Sequence, residues 1–393
     1  MSDQRIIVPT PSGLPGGNWQ NSKMIEGPRP FEISVPDDVL VDLRARLRNT
    51  RWPDEAPGAP WSQDTDRTVL QSLVDEWAEA FDWREQERRL NLHPHFVTEL
   101  SGSDVHFVHI RNGKSPLILT HGWPSSFIEY LPLVERLSND FDLVIPSLPG
   151  YGFSARPARV GIDAAYTAGL WLELMGQLGY KTFGAIGGDF GAAVTTHLAL
   201  LAPERVARIM ITTPEMSPVV DESSRPLSPA EAAYLEHVGG WDATERGYSA
   251  IQSTRPQAVG YGLSDSPAGL AAWLVEKWRA WSDSDGDVSE QFGTNFLLTN
   301  LTLYWTTNTI TSSMRDYFDS RWHSTPLTSA DFVSVPTAIS VFANEFVSEG
   351  TPPREWYERL YNVQQWSVSD VGGHFSAAEA PDRFAVDVRH HFR

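Results

Sequence analysis

Short apolar runs alternate with amphipathic stretches along much of this chain, and that alternation predicts its elements. The rhythm begins near residue 115, breaks after residue 213 and resumes after residue 336. Short apolar strands separated by helical stretches are typical of an α/β protein with a mostly parallel sheet. The runs that predict strands are 117–120, 143–146, 183–187, 209–213, 338–342 and 365–368. Helices are predicted after the first three strands and over residues 382–392.

The segment before this repeat follows another pattern. Apolar residues three or four positions apart predict one helix after Pro36, capped by Asp37 or Asp38, and a second over residues 68–81. Alternating apolar residues over 94–110 predict a hairpin. These elements indicate a separate N-terminal unit.

The interruption between residues 213 and 336 predicts a lid. It is long, rich in tryptophan and helical in pattern. An insertion at the carboxyl edge of a parallel sheet lies over the place where ligands bind. The predicted organisation is therefore an N-terminal arm and domain over 1–110, an α/β core over 111–213 and 331–393, and a helical lid over 214–330.

Composition narrows the classes of function. The 393 residues are 41% hydrophobic, which is enough for a large core. A net charge of −19 argues against nucleic acid and anionic membranes as partners, and the absence of cysteine excludes thiolate catalysis and Cys-ligated metals. Neither a signal peptide nor an apolar stretch of membrane-spanning length is found, so we expect a soluble, cytoplasmic protein.

Asp189 stands at the centre of a turn that usually carries a serine. Residues 187–191 read Gly-Gly-Asp-Phe-Gly, and they link a predicted strand to a predicted helix, as a nucleophile elbow does. A carboxylate that attacks a strained ether or an alkyl halide leaves an ester, which activated water can cleave. The elbow therefore predicts epoxide opening or halide displacement rather than ordinary ester hydrolysis.

Two loops provide partners for this nucleophile. Residues 121–124 follow a strand, and the backbone N–H groups of Trp123 and Phe190 are the predicted oxyanion donors and substrate contacts. His121 itself is expected to be structural. His374 follows the last strand in the chain order of this fold, and Glu345 or Glu349 is the candidate acid that orients it.

Taken together, these strings resemble a known family, the epoxide hydrolases of the microsomal and juvenile-hormone type. The likeness covers nearly the whole chain and implies the α/β-hydrolase fold with an N-terminal domain and a helical lid. It is carried by residues 31–108, 121–124, 150–154, 187–191, 252–256, 262–270, 304–307 and 372–375.

The resemblance also implies roles. Asp189 matches the family nucleophile, His374 the water-activating base and Glu345 the charge-relay acid, while Tyr248 and Tyr317 match the lid tyrosines that grip the epoxide oxygen. The loop that follows Asn344 is longer than is usual in the family, which keeps Glu349 open as the acid.

The resulting prediction is cofactor-independent and metal-free hydrolysis of an epoxide to a vicinal diol. The aromatic lid favours a bulky apolar or aryl epoxide, similar members act in actinobacterial secondary metabolism, and a homo-oligomer is left open. One alternative is a haloalkane or haloacid dehalogenase with the same Asp189 nucleophile, although a departing halide needs no tyrosine proton donor. The other is a non-catalytic binding protein that kept the fold.

Overall fold

A nine-stranded sheet forms the centre of this computed structural model, which describes residues 27–213, 216–345 and 350–393. Its strand order is β1-β2-β3-β5-β4-β6-β7-β8-β9. The strands are β1 (Arg29–Phe31), β2 (His95–Leu100), β3 (Ser103–Ile110), β4 (Ser115–Thr120), β5 (Phe141–Pro146), β6 (Phe183–Gly187), β7 (Val206–Ile211), β8 (Val333–Phe342) and β9 (Tyr361–Ser369).

The pairing within the sheet confirms the mostly parallel α/β fold. Strands β4 to β9 pair in parallel, whereas β1, β2 and β3 pair antiparallel and join the rest through β5. Every residue of β5 and β6 is buried. Parallel strands covered by helices on both faces require such continuous apolar runs, which is why they were readable in the sequence.

Helices cover both faces of the sheet and build the additions. Those before the sheet repeat are α1 (Asp37–Arg48), α2 (Arg67–Glu79) and α3 (Trp83–Leu90). Those of the first half of the repeat are α4 (Val134–Leu137), preceded by a 3₁₀ helix at Phe127–Leu133, α5 (Ala164–Gln177) and α6 (Phe190–Leu201). Those between β7 and β8 are α7 (Pro229–Glu245), α8 (Gly247–Thr254), α9 (Pro256–Asp265), α10 (Pro267–Ala280), α11 (Val288–Phe292), α12 (Thr294–Thr307) and α13 (Ile310–Trp322). The last are α14 (Arg354–Tyr357), α15 (Ser376–Glu379) and α16 (Pro381–Phe392).

The N-terminal helices agree with the sequence pattern except at their ends. Leu40, Leu43 and Leu47 are buried on one face of α1, as the spacing predicts. The predicted cap was wrong, because Pro36 occupies the N-cap position without a side-chain hydrogen bond and Asp37 is already the first helical residue. Helix α3 was not predicted, since its sequence is dominated by charged residues.

Some sequence predictions lie outside the described residues. These predictions concern residues 1–26, which make up most of the predicted N-terminal arm, and Glu349, the alternative acid. The boundaries at residues 110, 213 and 330 stay a prediction. No helix in the described part of the chain is long and apolar enough to cross a bilayer.

Candidate active site

Asp189 lies at the tip of a tight turn between β6 and α6. Its φ of 54° and ψ of −132° fall in a region that non-glycine residues rarely adopt, so the surrounding structure must hold it there. A Cβ at Gly191 would collide with the backbone carbonyl of Thr120. Glycine is therefore required for α6 to approach β4 this closely, and the sequence signal of the elbow has a steric origin.

The carboxylate of Asp189 is held by two backbone donors. Its Oδ1 accepts a hydrogen bond of 2.7 Å from the N–H of Trp123 and one of 2.6 Å from the N–H of Phe190. These are the two donors that the sequence predicted for an oxyanion site. A Cβ at Gly122 would overlap the Asp189 carboxylate, so only glycine lets the loop after β4 present Trp123 in this way. The second oxygen, Oδ2, faces the other side of the site.

His374 lies on that side and is oriented by Glu345. Its Nδ1 is 2.7 Å from Oε1 of Glu345, and its Nε2 is 3.5 Å from Oδ2 of Asp189. Because a carboxylate only accepts hydrogen bonds, Nδ1 carries a proton toward Glu345, and in the neutral imidazole the lone pair is then on Nε2, on the Asp189 side. The three side chains are 3 to 9% exposed. Such a buried arrangement keeps the base beside the nucleophile and away from bulk water.

Glu345 follows β8, and a residue that the sequence did not suggest helps to hold it. The hydroxyl of Thr213 donates a hydrogen bond of 3.2 Å to Oε2 of Glu345, and the carbonyl of Thr213 accepts one of 3.0 Å from the N–H of Asp189. Thr213 thus contacts both the acid and the nucleophile. Its only sequence signal is its position at the end of the predicted strand 209–213.

The loop that carries His374 is bound to the helical insertion between β7 and β8, the segment predicted to be a lid. The N–H of His374 donates to the carbonyl of Trp281 at 2.8 Å, and the N–H of Gly372 donates to the carboxylate of Asp283 at 2.9 Å. Glu379 accepts from the N–H groups of Asp283 and of the loop on both sides of His374. Burial raises the pKa of Glu379 to about 8, and its three N–H donors oppose that shift. Lid and histidine loop therefore form one connected unit.

Tyr248 and Tyr317 come from two lid helices, α8 and α13, and meet above the oxyanion donors. Their ring centroids are 5.8 Å apart at 82°. Tyr248 stacks on Trp123 at 5.6 Å, and Tyr317 packs edge-on against Trp123 at 5.6 Å and against Phe190 at 4.8 Å. The structure thus brings together the two tyrosines that residue patterns alone could not select.

A cavity of about 130 Å³ joins these groups. Asp189, Glu345, Tyr248 and Tyr317 line it, together with both apolar and polar side chains of the insertion and the core. A nucleophilic carboxylate and two phenols around one small space can act on opposite ends of a single strained bond.

His121 performs a different task from His374. Its ring is buried, its Nε2 accepts a hydrogen bond of 3.2 Å from the N–H of Leu148, and its Nδ1 is 3.0 Å from the carbonyl of Gly122. Burial lowers its pKa to about 4. The neutral imidazole therefore links the loops after β4 and β5, in keeping with the structural role expected from the sequence.

Comparison with known proteins places this site in a family. The protein-family model described as "Epoxide hydrolase N terminus" matches residues 28–130, and the family model described as "alpha/beta hydrolase fold" matches residues 115–238. The chain is 40% identical over 385 residues to a protein of Stigmatella aurantiaca whose name places it among the epoxide hydrolases, covering 93% of this chain and 85% of that protein. The chain belongs to the epoxide hydrolases.

Two further relatives of this epoxide hydrolase extend the likeness. Epoxide hydrolase 1 of Sus scrofa is 31% identical, and the match covers 93% of this chain and 88% of that protein. The crystal structure of juvenile hormone epoxide hydrolase from Bombyx mori superposes with a TM-score of 0.84 at 30% identity, covering 94% of this chain and 95% of that one. The microsomal and juvenile-hormone type that the motifs predicted is confirmed. Members of this family use an aspartate nucleophile and need no cofactor.

Proposed function

We propose that this epoxide hydrolase converts an epoxide and water to a vicinal diol through a covalent ester on Asp189. The observation that carries the proposal is that the two carboxylate oxygens of Asp189 have different contacts. Oδ1 accepts two backbone N–H groups, and Oδ2 faces the base side of the site. One oxygen is thus held where a negative charge will develop, and the other is available to attack.

In the first step Oδ2 of Asp189 attacks an epoxide carbon. The new C–O bond forms as the epoxide C–O bond breaks, and a phenol of Tyr248 or Tyr317 gives its proton to the departing oxygen. Both phenols border the cavity that Asp189 lines. The products are an ester on Asp189 and a tyrosine phenolate.

In the second step Nε2 of His374 takes a proton from water, and the resulting hydroxide attacks the ester carbonyl carbon. The charge that develops on Oδ1 is stabilised by the N–H groups of Trp123 and Phe190, which already point at that atom. Glu345 stabilises the imidazolium through its bond to Nδ1. The two protons of the water go to the departing diol oxygen and back to the phenolate.

A bulky apolar or aryl epoxide is the substrate that we propose, and the apolar part of the cavity wall supports its apolar character. Leu235, Val238 and Trp241 of α7 line the cavity beside Phe190. These apolar side chains, which share the wall with polar ones such as Thr212 and Ser217, favour an uncharged substrate. The substrate's size, a cytoplasmic location and homo-oligomeric assembly all stand as proposals.

A dehalogenase would use the same Asp189 but would have no use for the phenols, because a halide leaves as a stable anion. The pair of tyrosines over the nucleophile therefore favours an epoxide.

A single turnover in ¹⁸O-water, with enzyme in excess over styrene oxide, tests the proposed route. We expect the label in Asp189 and an unlabelled diol, since the diol oxygen comes from the carboxylate. A labelled diol in the first turnover would show direct attack by water. Halide release from 1-bromobutane serves as the parallel assay, and turnover of the bromide but not of the epoxide would establish the dehalogenase.

A further inference from the structure

A buried lysine lies against the ring of Tyr248. Nζ of Lys277, on α10, is 4.5 Å from the centroid of the Tyr248 ring and 5.7 Å from that of Trp281. The side chain of Lys277 is only 8% exposed, and its Nζ is paired with the carboxylate of Glu276, which is 11% exposed. A charged pair has thus been placed inside the lid, next to the proposed proton donor.

Such a placement is expensive if it serves the fold alone. Removing two charges from water carries a large desolvation penalty, and apolar replacements of similar size are often equally stable or better. Burial raises the pKa of Glu276, with Lys277 opposing that shift and the charges of Asp64 and Glu245 adding to it. The position of Lys277 therefore calls for an explanation at the site that it touches.

The charges around Tyr248 come from several elements. Those that border the same cavity or touch the ring are Lys277 of α10, Tyr317 of α13, Arg246 before α8, and Asp189 and Glu345 of the core. Glu276 of α10 is paired with Lys277. Arg246 is paired with Asp242, and its guanidinium lies over Trp241. Lys277 is the cation whose Nζ reaches the Tyr248 ring itself.

We propose that Lys277 is a positioning residue that stabilises the phenolate of Tyr248 when this tyrosine protonates the departing epoxide oxygen. The inference rests on the role proposed above for Tyr248. A cation at the face of an aromatic ring is attracted to its electrons, and the attraction grows when the ring becomes an anion. Lys277 would thereby speed epoxide opening and leave hydrolysis of the ester unchanged.

Rapid-mixing measurement of Asp189 alkylation by styrene oxide tests this coupling. Lys277→Met should slow alkylation about tenfold, which lies within the range for a partly desolvated cation over a ring, and Lys277→Arg should recover most of the rate. In a Tyr248→Phe background Lys277→Met should have no further effect. The matched control is Lys181→Met at an exposed lysine, which should alter nothing. An equal tenfold loss in the Tyr248→Phe background would overturn the proposal.

A second readout reports on Tyr248 without relying on catalysis. With 3-fluorotyrosine at position 248, ¹⁹F NMR follows ionisation of that phenol alone. Lys277→Met should raise the midpoint by about one pH unit, the same tenfold expressed as a pKa, and Lys277→Arg should leave it near the wild-type value. An unmoved midpoint overturns the proposal for Lys277. Wild-type alkylation in Tyr248→Phe would instead overturn the role of Tyr248.

If Lys277→Met shows no cooperative unfolding in a thermal melt, that variant is not properly folded, and Glu276→Gln then tests the proposal in its place. This variant removes the anion that offsets Lys277 and leaves Tyr248 untouched. The phenol midpoint should then fall below that of the wild type. A midpoint that rises or stays constant would show that Tyr248 does not respond to this charged pair.

Discussion

Nε2 of His374 lies 3.5 Å from Oδ2 of Asp189, on the side of the carboxylate opposite its two backbone donors. The separation is too long for a strong hydrogen bond, so Oδ2 is not tied to the base and can reach the substrate. Once Oδ2 is bonded to substrate, the same imidazole edge faces the ester carbon. A water between them can be deprotonated and directed at that carbon.

The identity of the acid is tested by separating the two steps. Glu345→Gln should slow hydrolysis of the ester on the order of 10²–10⁴-fold, because the imidazolium loses its partner, whereas alkylation of Asp189 stays fast. Pre-steady-state accumulation of the ester measures both rates. Glu349→Gln is the control and should behave as the wild type. If Glu349→Gln accumulates the ester instead, the role belongs to Glu349.

The tyrosine pair should control only the opening step. Tyr248→Phe and Tyr317→Phe are each expected to slow alkylation about 10- to 100-fold, since two phenols on one oxygen partly replace each other. The double variant should lose nearly all epoxide opening, and hydrolysis of a preformed ester should hardly change. A thermal melt must accompany the kinetics, because loss of a hydroxyl hydrogen bond at each of these partly buried tyrosines costs about 1 kcal/mol. Near wild-type opening by a folded double variant would make both residues packing groups.

Gly122→Ala probes the contact between the loop after β4 and the nucleophile. The added methyl would overlap the Asp189 carboxylate and force it or the Trp123 N–H to move. Loss of one oxyanion donor costs on the order of 10²–10³ in rate, so ester hydrolysis should slow by at least that factor, while opening should slow only as far as the carboxylate is displaced. Gly169→Ala on α5, where a methyl meets open space, is the matched control and should keep full activity. Equal activities of the two variants would mean that the Trp123 N–H is dispensable.

His121 should make the protein less stable in acid. Its pKa of about 4 in the folded protein lies below the ordinary value of 6.5, so folding favours the neutral imidazole. The contribution of His121 to the free energy of unfolding is therefore complete only above pH 6.5. As the pH falls toward 4, the unfolded chain gains the proton first and stability is lost. Between pH 7 and pH 5 the unfolding free energies of the wild type and His121→Gln should therefore converge by about 2 kcal/mol. Urea denaturation at both pH values measures this. The same difference in unfolding free energy between the wild type and the variant at pH 7 and at pH 5 would contradict the prediction.

The elbow and the buried strands could be predicted because their requirements are local. A sharp turn needs glycine around Asp189, and a covered parallel strand needs an uninterrupted apolar run. The choice between Glu345 and Glu349 could not be made from spacing, because it depends on where a loop meets His374 in three dimensions.

The contacts that the sequence missed come from the packing of the lid against the core. Thr213 reaches Glu345 and Lys277 reaches Tyr248 only because segments far apart in the chain meet. Neither residue stands in a pattern that differs from an ordinary strand end or helix face. The prediction of the α1 cap was wrong for a local reason, because Pro36 occupies the N-cap position that was expected for Asp37 or Asp38.

Trapping the ester on Asp189 tests the central claim most directly. In His374→Gln alkylation should proceed while hydrolysis stops, because the carboxylate remains and the base is gone. Incubation with styrene oxide followed by intact-mass measurement should show one adduct of the substrate's mass, and peptide mapping should place it on Asp189. A folded His374→Gln protein that binds the epoxide but yields no adduct, or an adduct on another residue, would contradict the account.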